Sequence, residues 1–312
     1  MALFATSIIG MEITSTSLSA AVLLRQPALP TLTGGAVCHL APGTLQINHR
    51  EPNVLLNGLF ADQLQQLRNR LQTRETRVAL SLPDAVGRVL LLNLEGGWNS
   101  HADALEMIRW KIKKVTPLDP TDLQLDFQPL APLQDGRCPV LVATIRRPIL
   151  EQYEELLIQT GLQPAWVDFT GLSLVRAFGQ TIATGQTVAF VSWRDNTLGT
   201  IFFHAGVPVF YRLKQIPPEQ ADHARVTAEC TYALLAYQKE HPGSSFSKVL
   251  YLTQSPDDKT LRGLLASSFE QPLQLLEPSA LCSCGAADLP GMPMLTALSG
   301  AIAAAAGRLP CA

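Results

Sequence analysis

Histidine, cysteine and serine are the residue types of this chain best suited to chemistry, and their spacing argues against common catalytic motifs. The serine-hydrolase pattern G-x-S-x-G is absent from the sequence. The histidines, at positions 39, 49, 101, 204, 223 and 241, form no H-E-x-x-H pair. Cys282 and Cys284 have no second close cysteine pair and no nearby histidine, whereas a closed zinc site needs four ligands. The sequence therefore supports neither a hydrolase of these classes nor a metal centre, and predicts no catalytic residue.

Basic residues crowd the end of one predicted helix, which begins at Ser100 as N-cap and runs through Val115. Arg109, Lys111, Lys113 and Lys114 lie in its last turns. Cations stabilise a helix C-terminus and are common on a solvent-exposed helix face, which explains this cluster. A functional basic patch is the alternative. Among the carboxylates, Glu12 at a strand end is equally explained as a solvated acid, and Asp168 as a group that stabilises a turn.

The pattern of apolar residues predicts strands and helices in both halves of the chain. Strands are expected at 7–13, 18–24, 77–83, 88–94, 123–130, 140–145, 165–169, 187–192, 198–204, 207–213, 248–253 and 273–276. Helices are expected at 57–71, 100–115, 149–160, 221–237, 261–269 and 294–307. Each half has a meander of strands followed by helix–strand units, which predicts a duplicated, two-lobed α/β fold.

Composition limits the partners and the cellular location that we expect. The 312 residues include 24 basic and 26 acidic side chains, for a net charge of −2, so the chain has no general attraction to nucleic acid. The segment before Glu12 carries no charged side chain and lacks the cationic region of a signal peptide. No apolar run is long enough to span a bilayer. We expect a cytoplasmic protein without nucleic-acid binding or direct membrane insertion.

A colinear series of segments resembles the PilM family of type IV pilus assembly proteins, which have an actin-like ATPase fold. The cytoplasmic part of the type II secretion protein GspL and, more remotely, the cell-division protein FtsA are also similar. The resemblance runs through essentially the whole chain, and no one motif is decisive. The segments that carry it are VALSLP, MIRWKIKKVTPLD, LQLDFQPL, YEELLIQTGLQPAWVDFTGLSLVRAF and LSGAIAAAAGR.

This resemblance implies an actin-like, duplicated RNase H-like fold with two lobes and an inserted subdomain called 1C. Lobe 1 would comprise residues 1–83 and 164–186, joined by the C-terminal helix 294–307. Subdomain 1C would span 84–163, and lobe 2 would span 187–293. Family members bind ATP between the lobes and hold the short cytoplasmic N-terminal tail of the inner-membrane protein PilN in a groove involving subdomain 1C.

The resemblance also assigns a nucleotide cleft, which departs from the family at three turns. In the first turn Glu12 replaces Asp, Thr14 replaces the turn Gly and Ser19 replaces Lys, so that only the hydroxyl-rich turn remains. In the second turn Ser192 replaces a carboxylate and Arg194 stands where Gly is expected; the third has Thr253-Gln254 in place of Gly-Gly. Arginine can bind phosphate, so loss of catalysis is better supported than loss of all nucleotide affinity. The cleft residues are Glu12, Thr14, Ser15, Thr16, Ser192, Arg194, Thr253 and Gln254.

We therefore expect a pseudo-ATPase: a non-catalytic cytoplasmic scaffold, peripheral to the inner membrane, that binds a PilN-like tail. Other pilus assembly proteins are further expected partners, self-association stays open, and ATP with Mg²⁺ is a disfavoured cofactor. The groove candidates are the strands 88–94 and 140–145 and the helix from Ile149. Two alternatives remain: a slowly hydrolysing ATPase of the same machinery, and a GspL-like secretion component, which would need a membrane helix supplied elsewhere.

Overall fold

The structure is a computed structural model that describes residues 6–115, 119–132, 136–220, 222–254, 259–284 and 292–309. Its strands are β1 (Ser7–Ile13), β2 (Ser17–Leu24), β3 (Thr31–His39), β4 (Arg77–Leu82), β5 (Gly87–Glu95), β6 (Leu123–Pro129), β7 (Arg137–Arg146), β8 (Gln163–Phe169), β9 (Thr187–Arg194), β10 (Thr197–His204), β11 (Val207–Gln215), β12 (Lys248–Thr253), β13 (Leu273–Leu275) and β14 (Ser283–Cys284). Its helices are α1 (Asn57–Arg70), α2 (His101–Val115), α3 (Arg147–Gln159), α4 (Thr170–Ala177), α5 (Gly179–Ile182), α6 (His223–Glu240), α7 (Lys259–Ser268), α8 (Met292–Ala297) and α9 (Ser299–Ala306). Pro117, a residue type that breaks helices, follows α2 in the sequence and lies outside the described residues.

Two sheets share one topology, which confirms the predicted duplication. In the first sheet, of order β14-β3-β2-β1-β4-β8, the strands β1, β2 and β3 form an antiparallel meander, and β4 and β8 run parallel to β1. In the second sheet, of order β11-β10-β9-β12-β13, the strands β9, β10 and β11 form the meander, and β12 and β13 run parallel to β9. Each lobe therefore repeats the strand order 3-2-1-4-5, with β14 added at the edge of the first sheet.

Subdomain 1C contributes a third, antiparallel sheet of order β5-β7-β6. The helix α2 covers one face of this sheet, where Ile108 and Ile112 pack against Leu94 and Val140. Ser100 receives the N–H of Asp103 on its hydroxyl oxygen at 3.1 Å, as the predicted N-cap requires. The strands β5 and β6 form the two edges of this sheet. Because β5 lies against β11 of lobe 2, the edge formed by β6 faces away from that lobe.

Packing places two segments differently from the predicted boundaries. The helix α3 falls within the range expected for subdomain 1C, yet Tyr153 and Leu157 belong to the core beneath the first sheet. Ser283–Cys284 falls within the range expected for lobe 2, yet pairs with β3 of the first sheet. The position of α3 is set by long-range apolar contacts and that of β14 by pairing at a sheet edge, and the local sequence pattern indicates neither.

The C-terminal helices α8 and α9 replace the single helix predicted over 294–307, because the chain turns at Leu298. The core containing α9 also includes Ile8 of β1, Phe190 of β9 and Leu250 of β12, so this helix joins the cores of the two lobes. In the part of the chain that the structure describes, no helix combines the length and apolarity needed to cross a membrane.

Gly10 of β1 provides the space for α9. A Cβ at this position would lie 1.8 Å from the carbonyl oxygen of Ala301 and 2.8 Å from the Cβ of Ala305. The first of these atoms is helix backbone, which cannot rotate away. The helix therefore packs directly on the backbone of β1.

We predict that Gly10→Ala lowers the free energy of unfolding by at least about 2 kcal/mol, because the added methyl group must displace α9. Urea unfolding followed by circular dichroism measures this change. The control is Gly263→Ala in the interior of α7, where a Cβ has no neighbour within 4 Å. This control should be neutral or stabilising by up to about 1 kcal/mol, and equal midpoints for the two variants would contradict the packing role of Gly10.

Candidate functional site

The turn of lobe 2 between β9 and β10 points its side chains at the first strand of lobe 1. Asp195 and Asn196 have φ of 47° and 56°, as in a two-residue type I′ hairpin turn. Arg194, the last residue of β9, directly precedes this turn. The turn therefore delivers both Arg194 and Asp195 to the opposite lobe.

Arg194 and Glu12 form a buried ion pair between the lobes. The Nη2 of Arg194 donates to both carboxylate oxygens of Glu12, at 2.6 and 2.8 Å, and Nη1 donates to the hydroxyl oxygen of Ser299 at 2.6 Å. The exposed fractions of the three residues are 6% for Arg194 and 1% each for Glu12 and Ser299. Such a pair is held by its geometry and its hydrogen bonds, since both charges have lost their water.

Glycine at position 300 makes room for this ion pair. A Cβ on Gly300 would lie 2.1 Å from Cδ of Glu12 and 2.3 Å from each carboxylate oxygen. The longer side chain of Glu12 therefore reaches Arg194 only because the first turn of α9 has no side chain there. Sequence reasoning placed both Ser299 and Gly300 in a buried helix and missed their contact with the cleft.

A second contact joins the hydroxyl-rich turn of lobe 1 to the same hairpin. The backbone N–H of Ser15 donates to Oδ2 of Asp195 at 2.8 Å, and the hydroxyl of Ser15 donates to Oδ1. The N–H of Asp195 in turn donates to Oε1 of Gln254 at 3.2 Å. No sequence motif indicated Asp195, because its contact with Ser15 depends on the three-dimensional approach of the two lobes.

The predicted cleft residues are thus only partly brought together. Glu12, Ser15 and Arg194 take part in the contacts between lobes, whereas Gln254 binds Asp195 within lobe 2. The other four lie within their own turns and strands: Thr14 receives the N–H of Ser17 at 3.0 Å, Thr16 is exposed, Ser192 lies against Gly199, and Thr253 ends β12 beside Trp193. No cluster of three or more metal-ligating side chains is found in the described ranges, and Cys282 is a buried free thiol.

Asp84 lies near this ion pair, at the start of subdomain 1C. Its carboxylate oxygens accept the N–H of Gly171 at 2.9 and 3.1 Å. Burial raises the pKa of Asp84 to about 7, and the negative charges of Asp168 and Glu12 add to the increase, while the Gly171 hydrogen bond and Arg194 oppose it. The carboxyl group therefore titrates near neutral pH.

A groove between subdomain 1C and lobe 1 is the second candidate site, with a cavity of about 460 Å³. One wall is the sheet face of β6 and β7 that is turned away from α2, and the other is β8. Its lining includes Gln124, Leu125, Asp126, Phe127 and Gln128 of β6; Leu141, Ala143, Thr144 and Ile145 of β7; and Pro164, Ala165, Trp166, Val167, Asp168 and Phe169 of β8. Leu82, Leu150, Glu154, Leu172, Arg176 and Arg308 complete it.

The structure corrects the predicted groove strands in one respect. The strand 140–145 and the helix from Ile149 contribute to the lining, as predicted, whereas no residue of 88–94 is among the described residues that line the cavity. The reason is the strand order: β5 lies on the side of β7 opposite to β6, against lobe 2. The sequence signal for β6 and β8 was a pair of short strands, and nothing in it indicated that both line one groove.

Charges at one end of the groove are organised around Asp168. Its Oδ2 accepts from Arg176 at 2.8 Å and from Arg308 at 3.3 Å. Burial of this carboxyl group raises its pKa even though both guanidinium groups oppose the shift. Arg308 follows α9, so the helix that contacts Glu12 at its start also supplies a groove residue beyond its end.

We predict that removing one member of the buried ion pair is costly. Glu12→Gln or Arg194→Met should lower the free energy of unfolding by about 3–5 kcal/mol, because each leaves the other charge buried without its partner. The double variant should recover much of this loss, which a double-mutant cycle measured by urea unfolding would reveal. Arg77→Gln, which removes the exposed arginine of its ion pair with the partly buried Glu75, is the control and should cost less than about 1 kcal/mol. If the loss of stability in the double variant equalled the sum of the losses in the two single variants, direct coupling between Glu12 and Arg194 would be contradicted.

The raised pKa of Asp84 predicts a pH dependence of stability. The pKa of this carboxyl group is about 7 in the folded chain and about 3.8 in the unfolded chain. At pH values between these two, the folded state therefore binds more protons. The free energy of unfolding of the wild type, relative to Asp84→Asn, should therefore fall as pH rises from about 4 to about 7, by up to about 1.4 kcal/mol per pH unit. Unfolding titrations across this range test the slope; a constant difference would contradict it.

Known proteins resemble the chain in structure rather than in sequence. No family model and no curated protein sequence matches it. Among solved structures, the chain is similar to a "PilM-PilN type IV pilus biogenesis complex", with a TM-score of 0.78, 17% identity, and coverage of 97% of this chain and 99% of that one. A protein of unknown function with an actin-like ATPase fold from Bacteroides thetaiotaomicron has a TM-score of 0.54 and 11% identity, covering 89% of this chain and 92% of that one.

A third similar structure is the cytoplasmic domain of EpsL, an inner-membrane component of the type II secretion system of Vibrio cholerae. It has a TM-score of 0.51 and 11% identity, and the match covers 94% of each chain. The predicted fold class is confirmed: the chain has the actin-like ATPase fold.

Proposed function

We propose that this protein is a non-catalytic scaffold of a type IV pilus or related secretion machine, which binds the cytoplasmic N-terminal tail of a PilN-like inner-membrane protein. The observation that carries the proposal is the groove between β6 and β8, where two sheet edges border an apolar floor. Extended peptides bind at such edges through main-chain hydrogen bonds, while pockets select their side chains. The partner would hold the scaffold at the cytoplasmic face of the inner membrane.

Similarity to the PilM–PilN complex supports the choice of partner class. That structure is a PilM–PilN complex of type IV pilus biogenesis, and the similarity extends over nearly the full length of both matched chains. The likeness to the EpsL domain, from an inner-membrane secretion component, extends the same setting to secretion systems. Other assembly proteins of the machine are proposed as further partners.

The cleft between the lobes fits Mg-ATP poorly, and this supports a scaffold over an ATPase. In this fold the phosphates need free backbone N–H groups, and Mg²⁺ needs carboxylate oxygens. Here the N–H of Ser15 is already bound to Asp195, and both carboxylate oxygens of Glu12 are bound to Arg194. We therefore propose a pseudo-ATPase, in which side chains of the protein take the place of a bound ligand between the lobes.

We predict that the protein binds the tail without nucleotide. In calorimetry, a synthetic peptide of the PilN-like tail should bind with Kd below about 100 μM, unchanged by millimolar Mg-ATP. Leu141→Arg should abolish binding by filling the groove. Trp110→Ala, an exposed residue on the opposite side of subdomain 1C, is the control and should retain it.

Thermal unfolding with and without Mg-ATP tests the alternative of a nucleotide-binding enzyme. A ligand at one hundred times its Kd adds about 2.7 kcal/mol to the folded state. We expect no shift of the unfolding temperature at millimolar ATP. A shift, accompanied by phosphate release, would favour the ATPase, and failure of the tail to bind would remove the scaffold proposal.

A further inference from the structure

Two strands border the groove, and each is the last strand of its sheet. Within the described part of the chain, the order β5-β7-β6 leaves one side of β6 without a neighbouring strand, and the order β14-β3-β2-β1-β4-β8 does the same for β8. An incoming extended peptide has a choice of two edges. The hydrogen bonds already made at each edge distinguish them.

The register of β6 on β7 fixes which of its peptide groups face the groove. Pro129 lies opposite Val140, and the N–H of Leu130 donates to the carbonyl oxygen of Pro139 at 2.9 Å. Even-numbered residues of β6 therefore direct their N–H and C=O groups toward β7, because the pattern alternates along an antiparallel pair. The N–H and C=O groups of Leu125 and Phe127 point the other way, to the open edge.

One of these outward groups is covered by a neighbouring side chain. Oδ1 of Asp126 accepts the N–H of Phe127 at 2.8 Å. The strand β8 has the same arrangement, in which Oδ1 of Asp168 accepts the N–H of Phe169 at 2.9 Å. An aspartate thus caps an N–H group on each strand that borders the groove.

The two caps differ in how firmly they are held. Asp168 is also bound by Arg176 and Arg308, and it is largely buried. Asp126 is exposed, and within the described residues it forms no ion pair shorter than 4 Å. Releasing Asp168 would break a three-residue cluster, whereas releasing Asp126 costs one hydrogen bond at the surface.

We propose that the partner tail binds as an added strand on β6, and that Asp126 is a replaceable cap which yields the N–H of Phe127 to a carbonyl oxygen of the tail. This inference rests on the proposed function and adds the strand, the register and the residue that controls access. The tail would donate its own N–H groups to the carbonyl oxygens of Leu125 and Phe127. Because Pro129 ends β6, the paired segment is short.

The surroundings of Asp126 provide for its release. Its negative charge acts on Arg308, where it opposes the lowering of the pKa that burial of Arg308 produces. Asp126 and Arg308 both line the groove, so a guanidinium group lies in the same groove as the displaced carboxylate. Side chains on the groove face of the added strand would lie next to Gln124 and Gln128 of β6, which share that face of the sheet with Leu141 and Ala143.

Peptide chemistry tests the added strand directly. Synthetic PilN-like tails, each with one backbone amide N-methylated, would be titrated into the full chain. We expect alternate positions of a short segment to lose at least about tenfold in affinity, with the positions between them unaffected, because only every second N–H faces β6. In hydrogen exchange, the amides of Leu125 and Phe127 should become protected on binding of the unmodified tail.

Substitutions at Asp126 test the replaceable cap. Asp126→Ala should bind the tail about 3- to 10-fold more tightly, because no side chain competes for the N–H of Phe127. Asp126→Asn keeps an oxygen at the cap without the charge and should lie closer to wild type, whereas a purely electrostatic effect would make the two variants equal. Asp119→Ala is the matched control, since it removes an exposed carboxylate that accepts the N–H of Thr121 at 3.0 Å outside the groove.

The outcomes separate this inference from the function on which it rests. A tail that does not bind at all contradicts the proposed function. A tail that binds while protection appears only on β8, or without an alternating N-methyl pattern, overturns the β6 strand and leaves the scaffold role standing. Protection of Leu125 and Phe127 that grows with protein concentration in the absence of tail would show a second copy on this edge and would also overturn the inference.

Discussion

The buried ion pair between Glu12 and Arg194 constrains the whole arrangement of the two lobes. Two opposite charges with almost no exposure to water must satisfy each other, so the strand that carries Glu12 and the hairpin that carries Arg194 must meet within hydrogen-bonding distance. Arginine suits this position because its planar guanidinium group can bind a carboxylate and a hydroxyl at once. The contact of Ser15 with Asp195 then fixes the same two elements a second time.

The helix α9 extends that constraint from the cleft to the groove. Ser299 at its start binds Arg194, Gly300 admits the Glu12 side chain, and Arg308 beyond its end binds Asp168 in the groove. Its alanines are small enough to let the helix lie on the backbone of β1 at Gly10. One small-residue helix thus provides part of the interlobe contact, part of the shared core and part of the groove wall.

The groove itself arises from where the third sheet is inserted. Because β5 lies against lobe 2, the opposite edge of that sheet, β6, is turned toward β8. Open sheet edges are usually protected against unwanted pairing. The two aspartate caps are placed to do this, and they are unequally anchored because Arg176 and Arg308 form ion pairs with Asp168, whereas the described residues show no ion pair to Asp126. The proposed pairing on β6 depends on this inequality.

The sequence by itself determined most of the elements and the repeat of two lobes. Alternating and continuous apolar runs located β1, β4, β9 and β12 because strand burial follows local periodicity. The resemblance in colinear segments indicated the actin-like fold, and the replacements at Glu12 and Arg194 marked an altered cleft.

Only the tertiary structure decided what those replacements do. That Glu12 and Arg194 neutralise each other, and that Ser299, Gly300 and Asp195 complete the contact, depends on the approach of residues more than a hundred positions apart. The membership of α3 in the core of lobe 1, the pairing of β14 with β3 and the exclusion of β5 from the groove have the same origin. Local pattern reports which face of an element is apolar, whereas the choice of neighbour is set by long-range packing and strand order.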